Sequence, residues 1–175
     1  MFKTKNLAIV VAFLGVVVLV TGAVFIALAI QKNDYITGAL RDQKITLGLS
    51  QTQINQGQLV DTAQTAQVAA NTLGEHLKSI APTYNDLMAK NANGRYDPTN
   101  PNDLSYTQGL NMENSLDIAV LGFGVVQLAL GVGIILVIIG LAAGGAGLSM
   151  YKLAQKEAEA AVPATARAAV AYQTK

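Results

Sequence analysis

Two long apolar segments dominate the pattern of hydrophobic and polar positions along this chain. The first covers residues 7–30 and the second covers residues 118–150, and neither contains a charged residue. An uncharged apolar stretch of at least about 18 residues is typical of a bilayer-spanning helix. The pattern therefore predicts an all-α membrane protein: a two-span transmembrane helical hairpin around a polar segment at 31–117. The first segment is too long for the apolar part of a signal peptide, which has about 7 to 15 residues, so we interpret it as an anchor.

The second span is longer than a bilayer requires. As a helix, residues 118–150 would measure about 50 Å, whereas the hydrocarbon core is about 30 Å thick. Three explanations are open: the helix tilts, its first turns from Leu116 to Phe123 project and pack on the polar segment, or the run Gly144-Gly145-Ala146-Gly147 breaks it.

Basic residues beside the spans predict the orientation, because cytoplasmic flanks are enriched in Lys and Arg. Lys152, Lys156 and Arg167 follow the second span, and no Lys or Arg lies between Arg95 and its start. We therefore expect a cell-membrane protein with a cytoplasmic N-terminus (1–6), a cytoplasmic tail (151–175) and an extracytoplasmic segment at 31–117.

Glycines in the second span recur every seven residues and predict a smooth surface for helix packing. Such surfaces allow the backbones of neighbouring membrane helices to approach closely. Gly124 and Gly131 form one row, and a neighbouring row consists of Gly133, Gly140 and Gly147. Ala23 and Ala27 are the matching small residues that we expect in the first span. Gln127 is the one amide in either span, and we expect it to form a hydrogen bond across helices.

A second periodic pattern begins at Ile45 and alternates in steps of four and three. Eleven of its thirteen positions are apolar, and the two polar ones are Thr52 and Gln56. The thirteen positions are Ile45, Leu49, Thr52, Gln56, Leu59, Ala63, Ala66, Ala70, Leu73, Leu77, Ile80, Tyr84 and Leu87. This heptad pattern predicts one or two long helices that bury a narrow seam, in the manner of a coiled coil. We place a helix end near Ile80 and a new first turn at Pro82. The seam packs either on its own chain, on another copy or on a different subunit, and the pattern does not choose among them.

Residues 91–103 are the clearest non-helical segment, because Gly94, Pro98 and Pro101 stand among Asn and Asp residues that favour turns. We expect a helix to resume there with Asp103 or Ser105 as its cap. Asp97, Asn100, Asn102 and Asp103 offer oxygen ligands, but their spacing lacks the central glycine and the distal glutamate of an EF-hand, so a turn explains them better.

The composition limits the kinds of functional site that the sequence predicts. The chain has no cysteine and one histidine, His76, so it offers no thiolate ligand and too few histidines for a histidine-based metal triad. We find no phosphate-binding loop and no nucleophile elbow. Lys and Arg are not clustered as a nucleic-acid-binding surface requires. We therefore predict no catalytic residue, no cofactor and no metal site. We expect the chain to contact membrane lipid.

Three sequence pieces carry a resemblance to a known family. They are Leu40-Arg41-Asp42-Gln43-Lys44-Ile45-Thr46 after the first span, Ser115-Leu116 before the second, and Phe123-Gly124-Val125 with Gly131-Val132-Gly133 within it. In these pieces the chain resembles a family of small two-span bacterial membrane proteins, some of which carry the label aromatic ring-opening dioxygenase. That activity requires an iron site of two histidines and a carboxylate, which one histidine cannot provide.

The patterns favour a non-catalytic structural or accessory subunit of a larger bacterial membrane assembly. Its packing surface would be the two glycine rows with Gln127 and the outer seam at Ala63, Ala66, Ala70, Leu73, Leu77 and Ile80. One alternative is a self-assembling homo-oligomeric scaffold, in which the same surfaces pair with copies of the chain. Another is an extracytoplasmic ligand-binding or sensor module.

Overall fold

The computed structural model describes residues 2–160, which form five helices and no strand. The helices are α1 (Phe2–Asp42), α2 (Gln51–Asn55), α3 (Ala63–Ile80), α4 (Tyr84–Ala89) and α5 (Pro101–Ala160). The predicted all-helical class is confirmed for this part of the chain, and α1 and α5 are long and apolar enough to cross a membrane. The predicted tail at 151–175 continues α5 as far as Ala160, and its remainder, with Arg167, lies outside the described residues.

The chain divides into two compact units. A two-helix unit contains α1 up to Leu28 and α5 from Ala129, and a central unit contains Ala29–Leu128. The structure distinguishes two of the explanations for the overlong second apolar segment, a break at Gly144–Gly147 and packing of its first turns. The helix is not broken at Gly144–Gly147, since α5 continues through these residues. Its first turns instead pack in the core of the central unit, as described below.

In the two-helix unit, α1 and α5 run antiparallel and touch through small residues. Positions near Gly147, Gly140 and Gly133 face Ala12, Leu19 and Ile26, respectively. Most of the large apolar side chains of both helices are exposed, whereas those of Leu19, Ile26 and Leu136 border the contact. Such an arrangement would suit an apolar solvent, because lipid would cover the exposed side chains while close backbone packing holds the helices together.

The central unit has its own core. One cluster joins the end of α1, the start of α3 and the first half of α5; its buried members are Leu40, Val60, Ala66, Ala69, Ala70, Leu116 and Phe123. A second cluster joins the end of α3, α4 and the first turns of α5; its buried members are Leu77, Ala81, Leu87, Met88 and Tyr106. Small alanines on α3 let this short helix lie close to α5.

The long helix predicted from Ile45 is wrong between Ile45 and Thr62. Residues 43–50 form turns and extended chain, α2 has five residues, and the chain is non-helical again from Gln56 to Thr62. Gly48 and Gly57 adopt positive φ angles of 79° and 74°, a conformation that ends a right-handed helix. These two glycines therefore outweigh the apolar periodicity, and regular helix starts only at Ala63, where Thr62 caps it.

Helix ends near residues 80 and 100 differ from the expectation by a few positions. α3 ends at Ile80, as predicted, but Thr83 caps α4 and Pro82 lies before the helix rather than in its first turn. α5 begins at Pro101, so neither Asp103 nor Ser105 is its cap; the Asn100 side chain accepts a hydrogen bond from the Asn102 amide at that end. A proline at the first helical position has no amide hydrogen to leave unpaired.

Candidate functional site

The glycine row at Gly133, Gly140 and Gly147 forms the contact between α1 and α5. A methyl group added to Gly140 would lie 2.7 Å from the Leu19 Cα, and one added to Gly147 would lie 2.7 Å from the Ala12 Cα. Both distances are shorter than carbon atoms tolerate, and backbone atoms cannot move aside as a flexible side chain can. This row is therefore occupied by the chain's own first helix.

The partner residues on α1 are glycines that the sequence analysis did not single out. A methyl group on Gly22 would lie 2.7 Å from the Gly133 carbonyl oxygen, and one on Gly15 would lie 2.9 Å from the Gly140 oxygen. Ala23 and Ala27, the expected partners, are exposed. The seven-residue spacing of Gly15 and Gly22 matches the spacing on α5, and comparing the two spacings could have found them.

The other glycine row faces away from the chain. A Cβ atom at Gly124 or Gly131 would meet no atom within 4 Å. The Gln127 side chain is exposed and forms no hydrogen bond among the described residues; it borders a polar depression with Asn33, Asp61 and Gln64. The predicted role of these three residues in helix packing stays a prediction, and any partner for them must come from outside the described chain.

The seam on α3 packs on its own chain. Ala66, Ala70 and Leu77 are buried within the two clusters of the central unit, and Ala63 and Ile80 lie at the edges of those clusters. Leu73 is half-buried. The close approach extends to Gly109 on α5, where an added methyl group would lie 2.6 Å from a Leu77 methyl carbon. Of the three partners left open for this seam, the structure places it against its own chain.

The first turns of the second apolar run have two different faces. One face carries Leu116 and Phe123, which are 1% and 5% exposed in the core of the central unit. The opposite face carries Ile118, Leu121, Val125 and Leu128, which are 68%, 70%, 66% and 69% exposed. These four residues follow one another at intervals of three, four and three, so they line one side of the helix. We refer to them as the exposed seam.

The apolar run of α5 extends further into the central unit than that of α1. Within this unit the run of α1 contributes only Ala29 and Ile30, whereas the run of α5 contributes the eleven residues 118–128. Eleven residues correspond to about 16 Å of helix.

A contact inside the central unit gives the register of the two helices there. A methyl group on Gly122 would lie 2.9 Å from the terminal methyl carbon of Ile36. Because the helices are antiparallel, the charged turn Lys32–Asp34 is then level with residues 124–126 of α5. Val125, in the middle of the exposed seam, thus lies level with this charged turn.

An open apolar groove of about 760 Å³ lies between α1 and α5 in the central unit. Its floor is formed by Leu40 and Leu116, its apolar wall includes Ala119, and the amide side chains of Gln43 and Asn111 stand at its rim. The volume is within the range of about 300–1,000 Å³ that is usual for small-molecule sites.

The loop before α5 closes around one buried carboxylate. Asp103 has no exposed surface; its Oδ2 accepts hydrogen bonds from the Asn91 side-chain amide at 2.5 Å and from the Asp97 backbone amide at 2.9 Å. Hydrogen bonds from the Thr99 hydroxyl and amide hold the pKa of the exposed Asp97 below its usual value. The oxygen-rich spacing noted in the sequence thus serves turns, as expected, and no group of three potential metal-ligating residues occurs between residues 2 and 160.

Comparisons with protein-family models, curated proteins and solved structures give no match to this chain.

Proposed function

We propose that this chain is a non-catalytic structural or accessory subunit of a larger bacterial membrane assembly. In this proposal α1 and α5 form a two-span hairpin, both termini are cytoplasmic, and the central unit is extracytoplasmic. The excess of Lys and Arg after the second span supports the orientation. The glycine row supports the hairpin, because α1 and α5 approach each other closely along its whole length.

The exposed seam is the observation that carries the functional part of the proposal. Lipid would cover exposed apolar residues of the two-helix unit, but the seam belongs to the central unit, where Val125 lies level with the charged turn Lys32–Asp34 of α1. Four large apolar side chains on one helix face, each about two-thirds exposed, are typical of a protein interface. The row at Gly133, Gly140 and Gly147 and the seam on α3 are already covered by the chain's own residues, so the exposed seam and the neighbouring row at Gly124 and Gly131 are the surfaces left for a partner.

Purification of the tagged chain from membranes in mild detergent tests this proposal. We expect a native mass above that of the monomer and the same accompanying protein in every preparation. Copies of this chain alone would instead favour the self-assembling scaffold. A monomer without any partner would contradict both.

A matched pair of substitutions tests the seam itself. Val125→Glu places a charge in the seam, whereas Val68→Glu places the same charge on an exposed valine of α3. We expect Val125→Glu to release the partner and Val68→Glu to retain it. Equal retention by both variants would mean that the seam is not the docking surface.

The apolar groove favours a second candidate function, the binding of a lipid acyl chain by the central unit. Ala39 lines the groove and is exposed, so Ala39→Trp would fill it without disturbing the core. Native mass spectrometry should then show one lipid fewer than in the unmodified protein, whereas Ala27→Trp, an exposed site elsewhere on α1, should retain it. Equal lipid retention by both variants would exclude the groove as a lipid site.

A further inference from the structure

We propose that the exposed seam pairs with the same seam of a second copy of this chain, so that two α5 helices pack in parallel. This inference rests on the proposed docking role of the seam and makes the partner at the seam a second copy of this chain, so the accompanying protein of the larger assembly would bind the resulting pair at another surface. It is argued from the residue types in the seam, from the glycines beside it and from the distribution of charge along α5.

The residue types of the seam follow the pattern of a parallel two-stranded coiled coil. Ile118 and Val125 occupy one heptad position, and Leu121 and Leu128 occupy the other. β-branched residues at the first position with leucine at the second favour a parallel dimer. The same spacing continues along α5 at Val132, Ile135 and Ile139, which are also exposed.

The unused glycine row lies next to this seam. Gly124 precedes Val125 of the seam, and Gly131 precedes Val132 of its continuation. A Cβ atom at either glycine would have no neighbour within 4 Å. In a parallel pair these positions flank the interface, where the absence of a side chain lets the two backbones approach closely. This arrangement gives the second glycine row the packing role that the first row has within the chain.

Charge and orientation also suit a second copy. Pairing identical helices places identical charges together, and α5 has no charged residue from Ile118 to Met150. Two copies inserted into a membrane in the same direction are necessarily parallel, as this seam requires. A twofold axis between them brings each seam residue close to its own copy.

Disulfide cross-linking tests the pairing, because the natural chain has no cysteine. Single-cysteine variants Leu121→Cys and Ile139→Cys place a thiol in the seam and in its continuation. Their controls are Tyr35→Cys and Leu141→Cys, which place it at similarly exposed positions outside both. We expect the two seam variants to form a disulfide-linked homodimer in native membranes several-fold faster than the controls.

A second measurement does not depend on oxidation. The native mass of the full chain in mild detergent should correspond to at least two copies, and the exposed-site variant Val125→Glu should lower it by one copy. Unchanged hydrogen exchange across α3 in the Val125→Glu variant would show that the central unit still folds.

The outcomes separate this inference from the proposed function. Cross-links from the seam to a different protein would overturn the pairing of copies and leave the accessory role in place. Equal cross-linking by seam and control cysteines, together with a monomeric mass and no accompanying protein, would overturn both. Quenching by brominated lipid of a fluorophore attached at Leu121→Cys, with no protein cross-link from that position, would show that lipid is the sole occupant of the seam and would likewise overturn the pairing.

Discussion

At the scale of single residues, Gly140 shows why small side chains matter in the two-helix unit. A methyl group there would meet the backbone of Leu19, which cannot move without separating the helices. We predict that Gly140→Ala lowers the free energy of unfolding by about 1–3 kcal/mol, the usual cost of overpacking. The loss should appear as unfolding at lower denaturant concentration in detergent micelles.

Gly145 provides the control for this substitution. It lies on the same helix, and a Cβ atom there would meet nothing within 4 Å. Gly145→Ala should leave stability unchanged or raise it slightly, because alanine is the better helix former. If both variants behaved alike, close contact at Gly140 would not be what holds the helices together.

Asp103 makes a residue-scale prediction in the central unit. Its carboxylate accepts hydrogen bonds from Asn91 and from the Asp97 amide while fully buried. Asp103→Ala leaves these donors without an acceptor, at a cost of about 1–3 kcal/mol. We expect faster hydrogen exchange at the Asp97 amide and across α4.

The matched substitution is Asp117→Ala, which removes an exposed carboxylate from the same helix. It should leave exchange in the loop unchanged. Slow exchange at Asp97 in the Asp103→Ala variant would show that the loop does not depend on this carboxylate.

At the scale of the helices, α5 shows where sequence patterns predict well and where they fail. The apolar period and the absence of charge predicted both long helices, because a span must satisfy its backbone hydrogen bonds internally. The excess length of the second span was also visible, but three explanations for it were open. The choice depended on Phe123 and Leu116 packing against α3, a contact between residues distant in sequence.

Tertiary contacts also decide which of the two predicted glycine rows packs within the chain. Spacing identified both glycine rows on α5, but only three-dimensional contact shows that the row with Gly140 faces α1 and the row with Gly124 does not. The helix predicted from Ile45 failed for a local reason. Gly48 and Gly57 interrupt the apolar pattern, and their positive φ angles are incompatible with a continuous helix.

Phe123→Ala tests the division of α5 into an anchoring part and a packed part. Because Phe123 lies in the core of the central unit, its truncation should cost about 3–5 kcal/mol and accelerate hydrogen exchange in α3. Residues 129–150 remain apolar and long enough to span the bilayer, so membrane insertion should persist. Val125→Ala, two residues away on the exposed face, should change neither property. Loss of membrane insertion in Phe123→Ala would contradict this division.

At the scale of the whole molecule, the proposed function depends on which side of the membrane each segment occupies. The segment between the spans carries nine acidic and six basic residues, whereas the two ends carry six basic and two acidic residues. Basic residues close to a span resist translocation, and acidic residues contribute little to orientation. Lys152 and Lys156 lie within the first two turns after the second span, where their effect on orientation is strongest.

Single cysteines at Asn93 and Lys156 test this topology in intact cells, because no native thiol interferes. Both positions are exposed, and Asn93 lies in the loop of the central unit. A membrane-impermeant maleimide should label Asn93→Cys directly and Lys156→Cys only after permeabilisation. Lys3→Cys should behave like Lys156→Cys, because two spans return the chain to the side on which it began. Labelling of Lys3→Cys and Asn93→Cys from the same side would eliminate the hairpin. Labelling of both ends from outside would keep the hairpin, invert it, and place the exposed seam and its partner in the cytoplasm.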